Sequence, residues 1–216
     1  MNRRLVALLF GPALVIALVV GVVVALNREP GGGATVPFPT AGAPTGDAGA
    51  DLVAVREAAG IAACPEVDAE ATAREDGLPA IELQCLDGSS GITLSGLRGE
   101  PMIINLWATW CGPCREEAPH LAAYAEGLGA DPPVRLLGID IEDPDPAGAF
   151  RFAEASNWTW PQLADPEGRI RTLTGPAIPQ TLFVDADGRI VHTHYGAFSS
   201  VEQLQATAEE QLGIDR

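Results

Sequence analysis

Met102-Ile103-Ile104-Asn105-Leu106-Trp107-Ala108-Thr109-Trp110-Cys111-Gly112-Pro113-Cys114-Arg115-Glu116-Glu117 is the stretch from which the rest of the chain is read. A short, almost uninterrupted apolar run reads as a buried strand. It stops at Ala108-Thr109, presents one cysteine at the mouth of a helix and places a second one turn inside. The open N–H groups and positive end of that helix lie near the Cys111 sulfur and favour its thiolate, which makes Cys111 the expected nucleophile. Cys114, three residues on and on the same face, is within disulfide reach but less exposed, and is expected to be the resolving thiol. Pro113 sits in the first turn, where a helix tolerates proline, and Gly112 lets a partner's backbone approach. The spacing reads as a redox switch that needs no cofactor beyond the Cys111–Cys114 pair. A C-x-x-C can also be half of a zinc site, but no second C-x-x-C or nearby His pair completes one, so no metal is expected.

Trp-Cys-Gly-Pro-Cys after a hydrophobic strand resembles the thioredoxin superfamily, and the wider pattern resembles its membrane-tethered TlpA/ResA branch. The residues that carry this are Asn105 to Trp110 before the motif, Glu117 and Pro119 after it, and Ala177-Ile178-Pro179-Gln180-Thr181-Leu182-Phe183-Val184-Asp185 far downstream, similar to the family's cis-proline strand. The resemblance spans about residues 75 to 214. It implies an α/β thioredoxin-like fold, a central mixed sheet flanked by helices, with the helix-strand insertion of that branch. It also implies a thiol-disulfide oxidoreductase whose clients, exported proteins such as apocytochrome c, are held against Trp110, Gly112, Pro113, Ile178 and Pro179. The Ile178–Pro179 bond is expected to be cis, leaving backbone N–H and C=O groups free for an extended client chain. Relatives of this branch generally reduce disulfides, which calls for a membrane thiol reductase as electron donor. The alternatives are a disulfide oxidase or isomerase, or a metallochaperone for copper enzymes. A peroxidase fits poorly, because Ala108 stands where such sites carry threonine.

Glu117 is the expected partner of Cys114. Asn105 lies six residues before Cys111, where thioredoxins proper carry a buried aspartate, and an amide cannot take up a proton. Relatives of the TlpA/ResA branch place a glutamate at position 117, on the same helical face as Cys114, where it can tune that thiol. The competing reading is that Glu116 and Glu117 merely complement the helix N-terminus. Glu116 and His120 are expected in solvent.

Upstream, Leu78 to Cys85 alternates Ile81, Leu83 and Cys85 on one face, the pattern of a half-buried strand. Asp51 caps a short helix, Leu52 to Ala59, that Gly60 stops. In an oxidising compartment Cys64 and Cys85 most simply form a structural disulfide, closing a loop of about 22 residues worth roughly 3 kcal/mol. A second redox pair relaying electrons to Cys111 is the competing reading. On this feature the family resemblance is silent.

At the N-terminus, Arg3 and Arg4 precede an uncharged apolar run from Leu5 to Leu26. At 1.5 Å per residue it makes about 33 Å of helix, enough to span a bilayer core of roughly 30 Å. The arginines favour a cytoplasmic N-terminus, so the catalytic domain is expected outside the cell membrane, on a single-pass anchor over 1–27. A cleaved signal peptide, with Val23-Val24-Ala25 as a passable site, is the alternative. Residues 28–50, mostly Gly, Ala, Pro and Thr, read as a flexible linker whose ends average ~25 Å apart, leaving 51–216 as the thioredoxin-like domain. The formal net charge of -16, without a single lysine, excludes nucleic acid as a partner.

Downstream, Val134 to Asp140 reads as a second buried strand. Asp145-Pro146 opens a helix to about Ser156 with Phe150 and Ala153 inward, and Trp158 and Trp160 read as core. Arg169 to Leu173 reads as a short helix ended by Gly175-Pro176. Gln180 to Asp185 and Arg189 to His194 form a hairpin about Ala186-Asp187-Gly188. His192 and His194 share a face expected to be solvated rather than metal-bound. Ser200 to Gln203 resembles a capping box opening the last helix, which ends near Gly213.

Overall fold

The computed structural model describes residues 51–214, and the expected membrane anchor and linker lie outside the described residues. Among the described residues no helix is long and apolar enough to cross a membrane. The chain runs α1 (Leu52–Ala58), β1 (Glu82–Cys85), β2 (Gly91–Thr93), β3 (Met102–Trp107), α2 (Gly112–Leu128), β4 (Arg135–Ile141), α3 (Pro146–Ala155), β5 (Gln162–Asp165), α4 (Arg171–Thr174), β6 (Gln180–Val184), β7 (Ile190–Tyr195) and α5 (Val201–Leu212). The strands form one mixed sheet in the order β2-β1-β5-β4-β3-β6-β7.

Its centre is where the sequence is most apolar. All six residues of β3 are buried, because β3 is covered on both faces and pairs on both sides, parallel to β4 and antiparallel to β6. One face carries Ile103, Trp107, Tyr124, Phe150, Trp158, Phe183 and Phe198 under the helices. The other carries Leu83, Leu94, Leu97, Ile104, Leu106, Ile139, Leu163 and Leu182. The helix and strand that resemble the family insertion form α3 and β5, and β5 joins the β1-β2 hairpin to the parallel centre. Trp158 and Trp160 are buried; Trp158 meets Trp107 edge-on and donates its indole N–H to the Ala118 carbonyl at 3.1 Å.

Local chemistry sets the ends of the helices. Asp51 accepts from the Val53 and Ala54 amides, and Gly60 takes the left-handed φ of +69° that the expected stop requires. Ser200 caps α5 by accepting from Gln203 N, but the returning Gln203 side chain takes the Ser199 amide and hydroxyl, one residue earlier than a capping box predicts.

Three surface expectations need correction. His120 is half-buried rather than exposed. His192 and His194 are also half-buried, because His194 stacks on Phe198 at 3.9 Å between ring centroids and His192 approaches Phe183, so their face is aromatic packing rather than solvent.

Candidate active site

The site forms where β3 ends. Cys111 is the N-cap of α2, so its backbone is still extended while its sulfur already accepts the Cys114 amide at 3.2 Å. That hydrogen bond, with the helix dipole behind it, stabilises negative charge on the Cys111 sulfur once the pair is reduced. Cys111 and Cys114 are joined as a disulfide with Cα atoms 5.3 Å apart. The order of exposure is the expected one, but the magnitude is not: Cys111 is only 4% exposed and Cys114 1%. The reason is tertiary. The Ile178 carbonyl oxygen lies 3.8 Å from Cys111 Sγ and covers it from the β6 side. The Ile178–Pro179 bond is cis. Gly112 and Pro113 are exposed, Ile178 is half-buried, Pro179 is buried, and Trp110 stands out at 53%. The nearly covered Cys111 sulfur thus has the exposed Trp110 beside it along the chain and the Ile178 carbonyl against it from across the fold.

Glu117 lies one turn after Cys114 on the buried face of α2 and is wholly enclosed. The Phe198 backbone and the Asn105 and Thr181 side chains face its carboxyl and favour the charged form, yet burial outweighs them and lifts its pKa to about 7. Neither carboxyl oxygen makes a hydrogen bond of ordinary geometry to these groups. Complementing the helix N-terminus from solvent is therefore not its situation, and the first turn of α2 carries no acidic residue; Glu116 is exposed, as expected.

Cys64 and Cys85 form a disulfide with a sequence separation of 21, tying the segment after α1 to the end of β1.

Two groups escape the sequence reading. Asp140, at the active-site end of β4 opposite Trp107, is 2% exposed, and one of its oxygens makes no hydrogen bond. Burial first, and then the charge of Asp143, raise its pKa to about 8. Asp143 accepts from the Thr109 amide at 3.1 Å and from the Thr109 hydroxyl, which fixes the turn before Trp110. The signal was present: an acid at an inward position of an otherwise apolar strand breaks the local pattern. The second group is the ion pair of Glu142 and Arg171 beside Trp110. Nothing in sequence spacing joins two residues that meet only in the folded chain. Among the described residues no cluster of three or more His, Cys, Asp or Glu could hold a metal ion.

The AhpC/TSA family matches residues 75–193, more than half of the chain, including Cys111, Cys114, Glu117, Ile178 and Pro179. The chain is 34% identical over 124 residues to the thiol:disulfide interchange protein DsbE of Pseudomonas fluorescens, covering 57% of this chain and 67% of that one. It is 28% identical over 130 residues to the thiol-disulfide oxidoreductase ResA of Oceanobacillus iheyensis, covering 57% and 66%. The chain thus spans about two thirds of the length of these curated relatives. Among solved structures, a secreted thiol-disulfide isomerase from Corynebacterium glutamicum superposes with a TM-score of 0.55 at 25% identity, over 71% of this chain and 98% of that one.

Proposed function

Since the chain belongs to the AhpC/TSA family, with a thioredoxin-like fold and relatives named for thiol:disulfide interchange, we propose that it is a thiol-disulfide oxidoreductase working through Cys111 and Cys114. The observation that carries the reading is a cysteine pair at a helix N-terminus whose outer sulfur accepts the Cys114 amide and faces the Ile178 carbonyl. In the reduced enzyme the Cys111 thiolate attacks one sulfur of a client disulfide. A Cys111–client bond forms, the client S–S bond breaks, and the second client sulfur leaves as a thiolate that takes a proton. Cys114 then loses its proton, attacks Cys111 and releases the client dithiol, so the two electrons end on the client and the enzyme holds the Cys111–Cys114 disulfide. Glu117, one turn from Cys114 with a pKa near that of a buried proton acceptor at work, takes the Cys114 proton in that second step.

The clients are disulfide-containing exported proteins, apocytochrome c among them, which pair as an extended chain with the Ile178 backbone. A membrane thiol reductase returns the enzyme to its dithiol state, and an N-terminal anchor holds the domain outside the cell membrane. Reduction is the favoured direction because Gly-Pro separates the cysteines, as in reducing thioredoxins. Equilibration with glutathione tests this: a low reduction potential supports a reductase, and one near -120 mV, that of a strong oxidant, makes it an oxidase. Insulin reduction lost in Cys111→Ser supports the chemistry, and wild-type turnover in that variant overturns it.

A further inference from the structure

The segment that carries Ile178 is not held by the sheet alone. From the end of α4 to the start of β6, residues 174–177 are gripped by side chains at three carbonyls. Gln180 Nε2 donates to the Thr174 and Ala177 carbonyls at 2.9 and 2.5 Å, and Arg171 donates to the Pro176 carbonyl. The Nε and the other terminal nitrogen of Arg171 bond one residue, Glu142, with Nε to Oε1 at 2.7 Å and the terminal nitrogen to Oε2 at 3.0 Å. Glu142 lies just beyond β4 and holds a left-handed φ of +53°, a conformation costly for a side-chain-bearing residue that the surrounding contacts must hold in place. Its own carbonyl accepts the Trp110 indole N–H at 3.3 Å.

These contacts close a ring. Trp110 is covalently next to Cys111; its indole leans on Glu142, Glu142 holds Arg171, Arg171 holds Pro176, and two residues on the Ile178 carbonyl comes back to Cys111 Sγ. Cys111 thus lies between two residues that this ring connects, Trp110 beside it in the chain and Ile178 facing its sulfur. A single guanidinium thus links the Trp110 side of the ring, through Glu142, to the Ile178 side, through Pro176. The pair is partly solvated, with side-chain exposures of 18% for Arg171 and 42% for Glu142, so as a surface ion pair it adds little to stability. Its consequence is geometric.

We propose that a client reaches Cys111 between Trp110 and Ile178, and that Arg171 is a positioning residue for its recognition, setting the width and orientation of that slot by holding the Pro176 carbonyl and the Glu142 carboxylate in one planar fork. This rests on the thiol-disulfide reading above and adds to it a specificity device for extended polypeptide disulfides. Lysine cannot replace it, because a point charge cannot serve two carboxylate oxygens and a carbonyl at fixed angles.

The test compares two substrates in the full chain: a short synthetic peptide carrying a cysteine-glutathione mixed disulfide, whose backbone extends along the slot, and oxidised glutathione alone. Arg171→Ala is expected to raise the peptide KM about tenfold, with kcat changed much less and the glutathione reaction reduced no more than about threefold. Arg171→Lys should recover only part of the peptide KM. The charge swap Glu142→Arg with Arg171→Glu restores a pair but offers no donor to Pro176, and should stay as impaired as Arg171→Ala. A peptide KM within twofold of wild type in Arg171→Ala overturns the proposal, as does an equal loss on both substrates or full recovery in the charge swap. Failure of the wild-type chain to exchange with either substrate overturns instead the oxidoreductase reading on which it stands.

Discussion

Asn105 and Thr181 are register partners across β3 and β6, joined by Asn105 Nδ2 donating to Thr181 Oγ1 at 3.2 Å, and both side chains face the Glu117 carboxyl. The acid thus has neutral neighbours in place of a second buried carboxylate, and its charge state is decided by burial. With a pKa near 7 it changes protonation within the working range of a thiol enzyme.

The pH dependence of the second exchange step follows from this. As pH rises through about 7, Glu117 ionises and becomes able to accept the Cys114 proton, so release of the mixed disulfide should accelerate across that range. Glu117→Gln should flatten the inflection and slow the step by roughly a hundredfold, within the usual range for a lost general base. Stopped-flow decay of a preformed Cys111 mixed disulfide reads both; an unaltered profile in Glu117→Gln would remove the residue from the mechanism.

Stability should fall as pH rises. The Glu117 carboxyl has a folded pKa of about 7 against an ordinary value of 4.5, so between those limits the folded state holds a proton that the unfolded chain has lost. Its contribution is fully present below 4.5 and is lost as pH climbs through 7, on the order of 3 kcal/mol in all. Asp140, raised from 3.8 to about 8, acts in the same direction over a wider window. Urea unfolding at pH 5 and pH 8.5 should show the oxidised wild type more stable at the lower pH, and Asp140→Asn should narrow the difference.

The Cys64–Cys85 bridge should matter for stability and not for turnover. With a sequence separation of 21, its loss costs roughly 3 kcal/mol in the chain-entropy account, or a fall in melting temperature of about 10 °C for a domain of this size. The Cys64→Ser, Cys85→Ser double variant is expected to keep its insulin-reduction rate at 20 °C. A rate that collapses in the folded variant would mean that this pair relays electrons to Cys111.

Replacing the resolving thiol should trap clients. Cys114→Ser leaves Cys111 able to attack and nothing to displace the product, so disulfide-linked adducts should accumulate and vanish on treatment with dithiothreitol. The same experiment with Cys111→Ser should yield no adducts. Adducts of equal abundance in both would reverse the assignment of nucleophile.

Much of this was legible in the order of residues because it depends on neighbours along the chain. The strand-to-helix switch at Cys111, the N-cap at Asp51 and the inward Phe150 and Ala153 follow from apolar period and turn chemistry, which act over a few residues. Boundaries moved slightly: α4 starts at Arg171 rather than Arg169, after a turn whose backbone amides are held by the buried Asp165 carboxylate.

What the sequence by itself determined is the chemistry on offer: two cysteines at redox spacing, a proline strand to face them, an acid one turn away and a second cysteine pair. What only the tertiary structure decided is how that chemistry is enclosed. Cys111 is nearly covered because Ile178, 67 residues away, closes over it. Glu117 titrates near neutrality because β3, β6 and the Phe198 backbone wall it off. Arg171 reaches Trp110 only through Glu142, at the end of a different strand. Desolvation and the meeting of distant carbonyls and guanidinium groups are properties of packed surfaces, and no local pattern of residues encodes them.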